Sequence, residues 1–97
     1  MSNNGHRNGP FAALGDPTRR AILRLLRRGE MTAGDIAGQF TISAPSVSHH
    51  LGVLTAGGLV KVRKDGARMI YSLDTTVIED LATDLLALVR PEEPHEE

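Results

Sequence analysis

Four side chains able to donate or accept hydrogen bonds, Ser46, Ser48, His49 and His50, stand together in the run TISAPSVSHHLGVL. Metal ligation, acid–base catalysis and contact with a partner are the chemistries open to such a set. Adjacent residues of a helix point about 100° apart, so His49 and His50 cannot converge on one ion. Catalysis by a serine–histidine pair needs a carboxylate to orient the imidazole, and no acidic residue occurs from Ile36 to Arg63. An acid-free face of hydroxyls and imidazoles instead suits a polyanionic groove, where these groups can reach base edges.

What must position that face is a helix. Ser43 is a good N-cap, Pro45 fits the first turn, and Gly57-Gly58 ends the apolar pattern Val47, Leu51, Leu54. At 3.6 residues per turn His49 lies opposite that stripe, near Pro45, Gly52 and Ser46, with Ser48 and His50 on the flanks. His50 falls close enough to the stripe to act mainly as a supporting contact.

The flanking elements follow from the same local rules. Phe11 to Leu14 reads as a short apolar turn. Asp16-Pro17 then starts a helix with Ile22, Leu23, Leu25 and Leu26 inward, Arg19, Arg20, Arg24, Arg27 and Arg28 among its polar positions, and Gly29 as its stop. Thr32 and Asp35 form a variant capping box for a helix of about nine residues. Leu59 to Lys64 and Ala67 to Leu73 read as strands joined at Asp65-Gly66. Thr75 or Thr76 caps a last helix carrying Ile78, Leu81, Leu85 and Leu88. The fold class expected is mainly α with a small β-hairpin, a winged helix-turn-helix in the order α-α-α-α-β-β-α.

Charge is divided along the chain. Residues 1–68 hold ten Arg/Lys against four Asp/Glu, whereas residues 69–97 hold one Arg against eight Asp/Glu. A basic surface is therefore expected to meet a polyanion while the acidic end faces elsewhere. The hairpin adds Arg63, Lys64 and Arg68, long cations able to reach phosphate or the minor groove, and backbone N–H groups at the Ser43 end can hold a phosphate. Ile78, Leu81, Leu85 and Leu88 exceed what so small a fold needs for its own core, so with Phe11 and Leu14 they are expected to form a homodimer interface.

The runs LGDPTRRAILRLL, MTAGDIAGQFTISAPSVSHHLGVLTAGGLV and RKDGARMIYSL together resemble the ArsR/SmtB family of dimeric bacterial winged-helix repressors, over roughly residues 11 to 89. The likeness is strongest to the autorepressor subgroup that lacks a recognised sensor site. The resemblance implies that Ser43 to Ala56 reads DNA, that Ser46, Ser48 and His49 are base or phosphate contacts, and that the first and last helices form the dimer interface. Metal-sensing members of that family commonly carry a Cys-x-Cys pair on the helix before the reading helix, or Asp/His and His/Glu pairs on the terminal helix. Here Thr32-Ala33-Gly34-Asp35 stands where thiolates would be, and the terminal helix offers Glu79, Asp80 and Asp84 without histidine. No metal site or cofactor is therefore expected, and no small-molecule effector is identifiable from the sequence.

With no cysteine, thiol chemistry and disulfides are excluded, and neither a phosphate-cradling loop nor a converging catalytic set appears, so an enzyme is not expected. The apolar runs are too short to cross a bilayer and MSNNGHRNGP has no apolar signal region, so a soluble cytoplasmic protein is expected. Composition divides the chain into a disordered arm at 1–9, a DNA-binding and dimerisation domain at 10–90, and an acidic disordered tail at 91–97. The expected function is sequence-specific repression by a homodimer on a partly palindromic operator in double-stranded DNA. A winged-helix protein-interaction module and a metal-responsive repressor with a non-cysteine site are the alternatives.

Overall fold

The computed structural model describes residues 4–91, with side chains from residue 9 onward. Its elements are α1 (Asn4–Ala13), α2 (Pro17–Leu26), β1 (Met31–Thr32), α3 (Ala33–Ala37), α4 (Ala44–Ala56), β2 (Val60–Asp65), β3 (Arg68–Leu73) and α5 (Thr75–Ala87). The strands form one antiparallel sheet in the order β1-β3-β2. This is a mainly helical winged helix-turn-helix, with a third strand that local sequence did not indicate.

Local signals set most of the boundaries. The Asp16 carboxylate accepts from the Arg19 N–H at 3.1 Å, and Pro17 opens α2 where its missing donor costs nothing. Gly29, at φ 146°, turns the chain out of that helix. At the end of α4 the Gly58 N–H bonds to the Thr55 carbonyl and the Leu59 N–H to that of Leu54, both at 3.0 Å. This double closure requires the positive φ of 82° at Gly58. The core is aliphatic: Ile22 and Leu26 of α2, Ile36 of α3, and Val47, Leu51 and Leu54 of α4 are buried together with Leu59, Val60 and Leu81.

Several expectations need correction. The first helix is longer than an apolar turn at Phe11–Leu14, for it begins at Asn4, inside the segment read as a disordered arm. Its order comes from distant contacts. A Cβ placed on Gly57 would meet the Gly9 carbonyl oxygen at 2.8 Å, so glycine lets the two backbones touch. The last carbonyls of α1 are taken by arginines: Arg19 Nε donates to Ala13 O at 2.7 Å, Arg19 Nη2 to Ala12 O at 3.2 Å, and Arg20 Nη1 to Leu14 O at 2.6 Å.

Helix α3 has five residues instead of about nine, because beyond Gly38 the chain tightens into bonds from Gln39 N to Ile36 O and from Phe40 N to Ala37 O. The hairpin pairs Asp65 with Arg68, so its two-residue loop is Gly66-Ala67, one position later than expected, with Gly66 at φ 64°. Asp74, not Thr75 or Thr76, caps α5 by accepting from the Val77 N–H at 3.3 Å. The tail expected at 91–97 lies, beyond Pro91, outside the described residues.

Candidate nucleic-acid interface

Helix α4 is held from behind by Val47, Leu51 and Leu54, each at most 1% exposed, which turns its other side outward. Pro45, Ser46, Ser48, His49 and Gly52 are all exposed there. The N-terminus is organised by Ser43, whose Oγ accepts from the Ser46 N–H at 3.3 Å and donates to Ser46 Oγ at 3.1 Å. That arrangement leaves the outward-facing imidazole of His49 and the Ser48 hydroxyl without a protein partner among the described residues, as base-edge contact requires.

The two histidines divide as their positions on the helix foretold. Their ring centroids lie 5.6 Å apart with planes tilted by 59°, so they do not aim at one point. His50 turns inward, its side chain 16% exposed, and its Nδ1 lies 3.2 Å from Arg19 Nη1 and 3.9 Å from Asp16 Oδ2. Above all the Arg19 N–H, helped by the Thr18 N–H and the neighbouring Arg19 and His50, holds the Asp16 carboxyl below the usual carboxylate range. This contact between α2 and α4 left no mark in local sequence, since its partners are 31 residues apart.

The wing stands next to α4 in the chain and presents Lys61, Arg63, Lys64 and Arg68, all exposed. Cross-strand pairing places Arg63 opposite Ile70, and its guanidinium is bound by the Glu30 carboxylate from the link between α2 and β1. Arg63 is thus partly neutralised, whereas Lys64 and Arg68 have no carboxylate in ion-pair range among the described residues. Arg19 and Arg20, read from sequence among the polar positions of α2, serve to close α1. Arg24, Arg27 and Arg28 remain on the surface, along a groove shared with Gln39 and Phe40.

The residues expected at a dimer interface separate into two groups. Leu81 is buried at 7% in the core of its own chain, so it is not surface; Leu14 and Ile78 are half-buried against that core. Phe11, Leu85 and Leu88 are exposed, and Leu86 and Val89, which the single-stripe reading passed over, are exposed with them. A second apolar row, Leu86 and Val89 three residues apart, was the available signal. Among the described residues no group of three or more His, Asp or Glu side chains is placed to hold a metal ion.

A helix-turn-helix domain model matches residues 14–63. The transcriptional repressor SdpR of Bacillus subtilis (strain 168) is 52% identical over 73 residues, which span 75% of this chain and 81% of that protein. The crystal structure of an ArsR family transcriptional regulator superposes with a TM-score of 0.73 at 31% identity, covering 90% of this chain and 99% of that one. The solution structure of a homodimeric winged helix-turn-helix DNA-binding domain from Mycobacterium bovis, a possible ArsR-family regulator, gives a TM-score of 0.69 at 25% identity. The match spans 100% of this chain and 97% of that one.

Proposed function

The chain belongs to the ArsR family of helix-turn-helix transcriptional regulators, and from that premise we propose that it is a homodimeric, sequence-specific DNA-binding repressor rather than an enzyme. The observation that carries this reading is the outward face of α4, where Ser46, Ser48 and His49 are exposed beside a cationic wing while the opposite stripe is fully buried. Two copies related by a twofold axis present two such helices to successive major grooves, about 34 Å apart along one face of the duplex. A partly palindromic operator is the matching target, and occupying it blocks a promoter. The unit that does this runs from α1 to α5.

Within that reading His49, Ser46 and Ser48 contact base edges, and Ser43 and Pro45 bring the N-terminus of α4 against a phosphate. Lys64 and Arg68, with Arg63 in a lesser part, grip the backbone beside the groove. No helix among the described residues is long and apolar enough to cross a membrane. The test is retardation of the DNA upstream of the protein's own coding region against random DNA of equal length, over a salt series. Preferential binding that weakens steeply with salt, with a footprint of two half-sites, is expected. Equal affinity for both DNAs, or no retardation by a folded dimer at low salt, would overturn the reading.

A further inference from the structure

Arg19 bonds to two helices besides its own. Its Nε and Nη2 donate to the carbonyls of Ala13 and Ala12, which end α1, while its Nη1 meets His50 Nδ1 on α4, at 3.2 Å. Its backbone N–H is fixed in turn by the Asp16 cap, at 3.1 Å. One guanidinium therefore joins a helix of the expected dimer surface to the helix expected to enter the groove. We propose that Arg19 and His50 form the joint that sets where α4 stands relative to α1, and hence the half-site spacing the dimer accepts. They are positioning residues, and the inference rests on the DNA-binding reading above.

The chemistry of the contact assigns the roles of the two ring nitrogens. A guanidinium has donors only, so the contact requires a lone pair on His50 Nδ1 and the proton on Nε2. Protonating the ring sets donor against donor and charge against charge at the same distance. The charged and titratable groups around it are Arg19 and Asp16 from α2 and His49 from its own helix; α1 contributes carbonyls and, among its described side chains, no charge. The Asp16 carboxylate, 3.9 Å from Nδ1, is the acceptor to which a protonated ring would turn, away from Arg19.

The experiment measures binding to a set of operators whose half-site spacing is lengthened or shortened by one base pair, using the full chain. The wild type is expected to discriminate among spacings. His50→Leu, which keeps an apolar body but no acceptor, is expected to lose roughly tenfold in that discrimination while affinity for random DNA stays unchanged. His50→Asn, whose Oδ1 takes the place of Nδ1 and can accept from Arg19, is expected to restore it. Nitrogen chemical shifts of the free protein should show an unprotonated Nδ1 at His50, an arm that needs no DNA. Equal losses at every spacing for His50→Leu, no rescue by His50→Asn, or a protonated Nδ1 in the neutral ring would each overturn the joint. Failure of the folded wild type to prefer any operator would instead overturn the DNA-binding reading.

Discussion

Each polar side chain near α4 has a role set by whether the fold already occupies it. His49 has no protein partner among the described residues, so its loss should be felt only when DNA is present. His49→Ala is expected to reduce specific affinity by about 1–3 kcal/mol with little change on random DNA, measured by paired retardation titrations. Arg68→Ala should weaken both DNAs alike and lower the slope of log affinity against log salt by about one unit. Arg63→Ala should do less than Arg68→Ala, because Glu30 already takes part of its charge. Asp16 acts on the free protein. Its carboxyl is held below the usual range chiefly by the Arg19 N–H, so its contribution to stability is complete above the ordinary carboxylate value and disappears as pH falls through the lower folded one. The gap in thermal stability between wild type and Asp16→Ala should therefore shrink below about pH 4.

Helices that carry their own start and stop signals were readable from sequence, and those made by distant contacts were not. α2 and α4 announce themselves through Asp16-Pro17, Ser43 and Pro45, and the paired glycines at 57 and 58, so stripe and outward face followed correctly. β1 is two residues long and exists only because Met31 and Thr32 find Tyr71 and Ile70 on β3. α1 looked like a polar arm because the glycine that admits it, Gly57, lies far along the chain. A contrast between two glycines of the α4 region tests that account. A Cβ on Gly57 meets backbone atoms of Gly9 at 2.8 and 3.1 Å, so Gly57→Ala should cost about 1–3 kcal/mol in urea denaturation by pushing α1 away. A Cβ on Gly52 meets nothing within 4 Å, so Gly52→Ala should raise stability by about 0.5–1 kcal/mol through helix propensity alone.

A single chain of this protein is not a finished globule. Its radius of gyration is 15.7 Å, against about 12.5 Å for a compact domain of the same length. Apolar surface is left uncovered: Leu88 and Val89 are 79% and 78% exposed at the end of α5, and Leu85, Leu86 and Phe11 are each more than two-fifths exposed. The aliphatic row at the end of α5 is the surface that a second copy would cover in the homodimer proposed above. Leu81, one helical turn nearer the core, is already buried and supplies the internal control. Leu88→Asp should convert a sedimenting dimer to a folded monomer whose thermal transition is lowered only by what association contributed and no longer depends on protein concentration, since the residue makes little contact within its own chain. Leu81→Asp should unfold the chain, because a carboxylate there sits among Leu and Ile side chains without a partner. The monomeric Leu88→Asp protein would keep an intact α4 and wing. Its affinity for a full operator should fall to that for an isolated half-site, with a salt slope roughly halved along with the number of phosphates it can neutralise at once. A Leu88→Asp protein that still sediments as a dimer would place the interface elsewhere than on the end of α5.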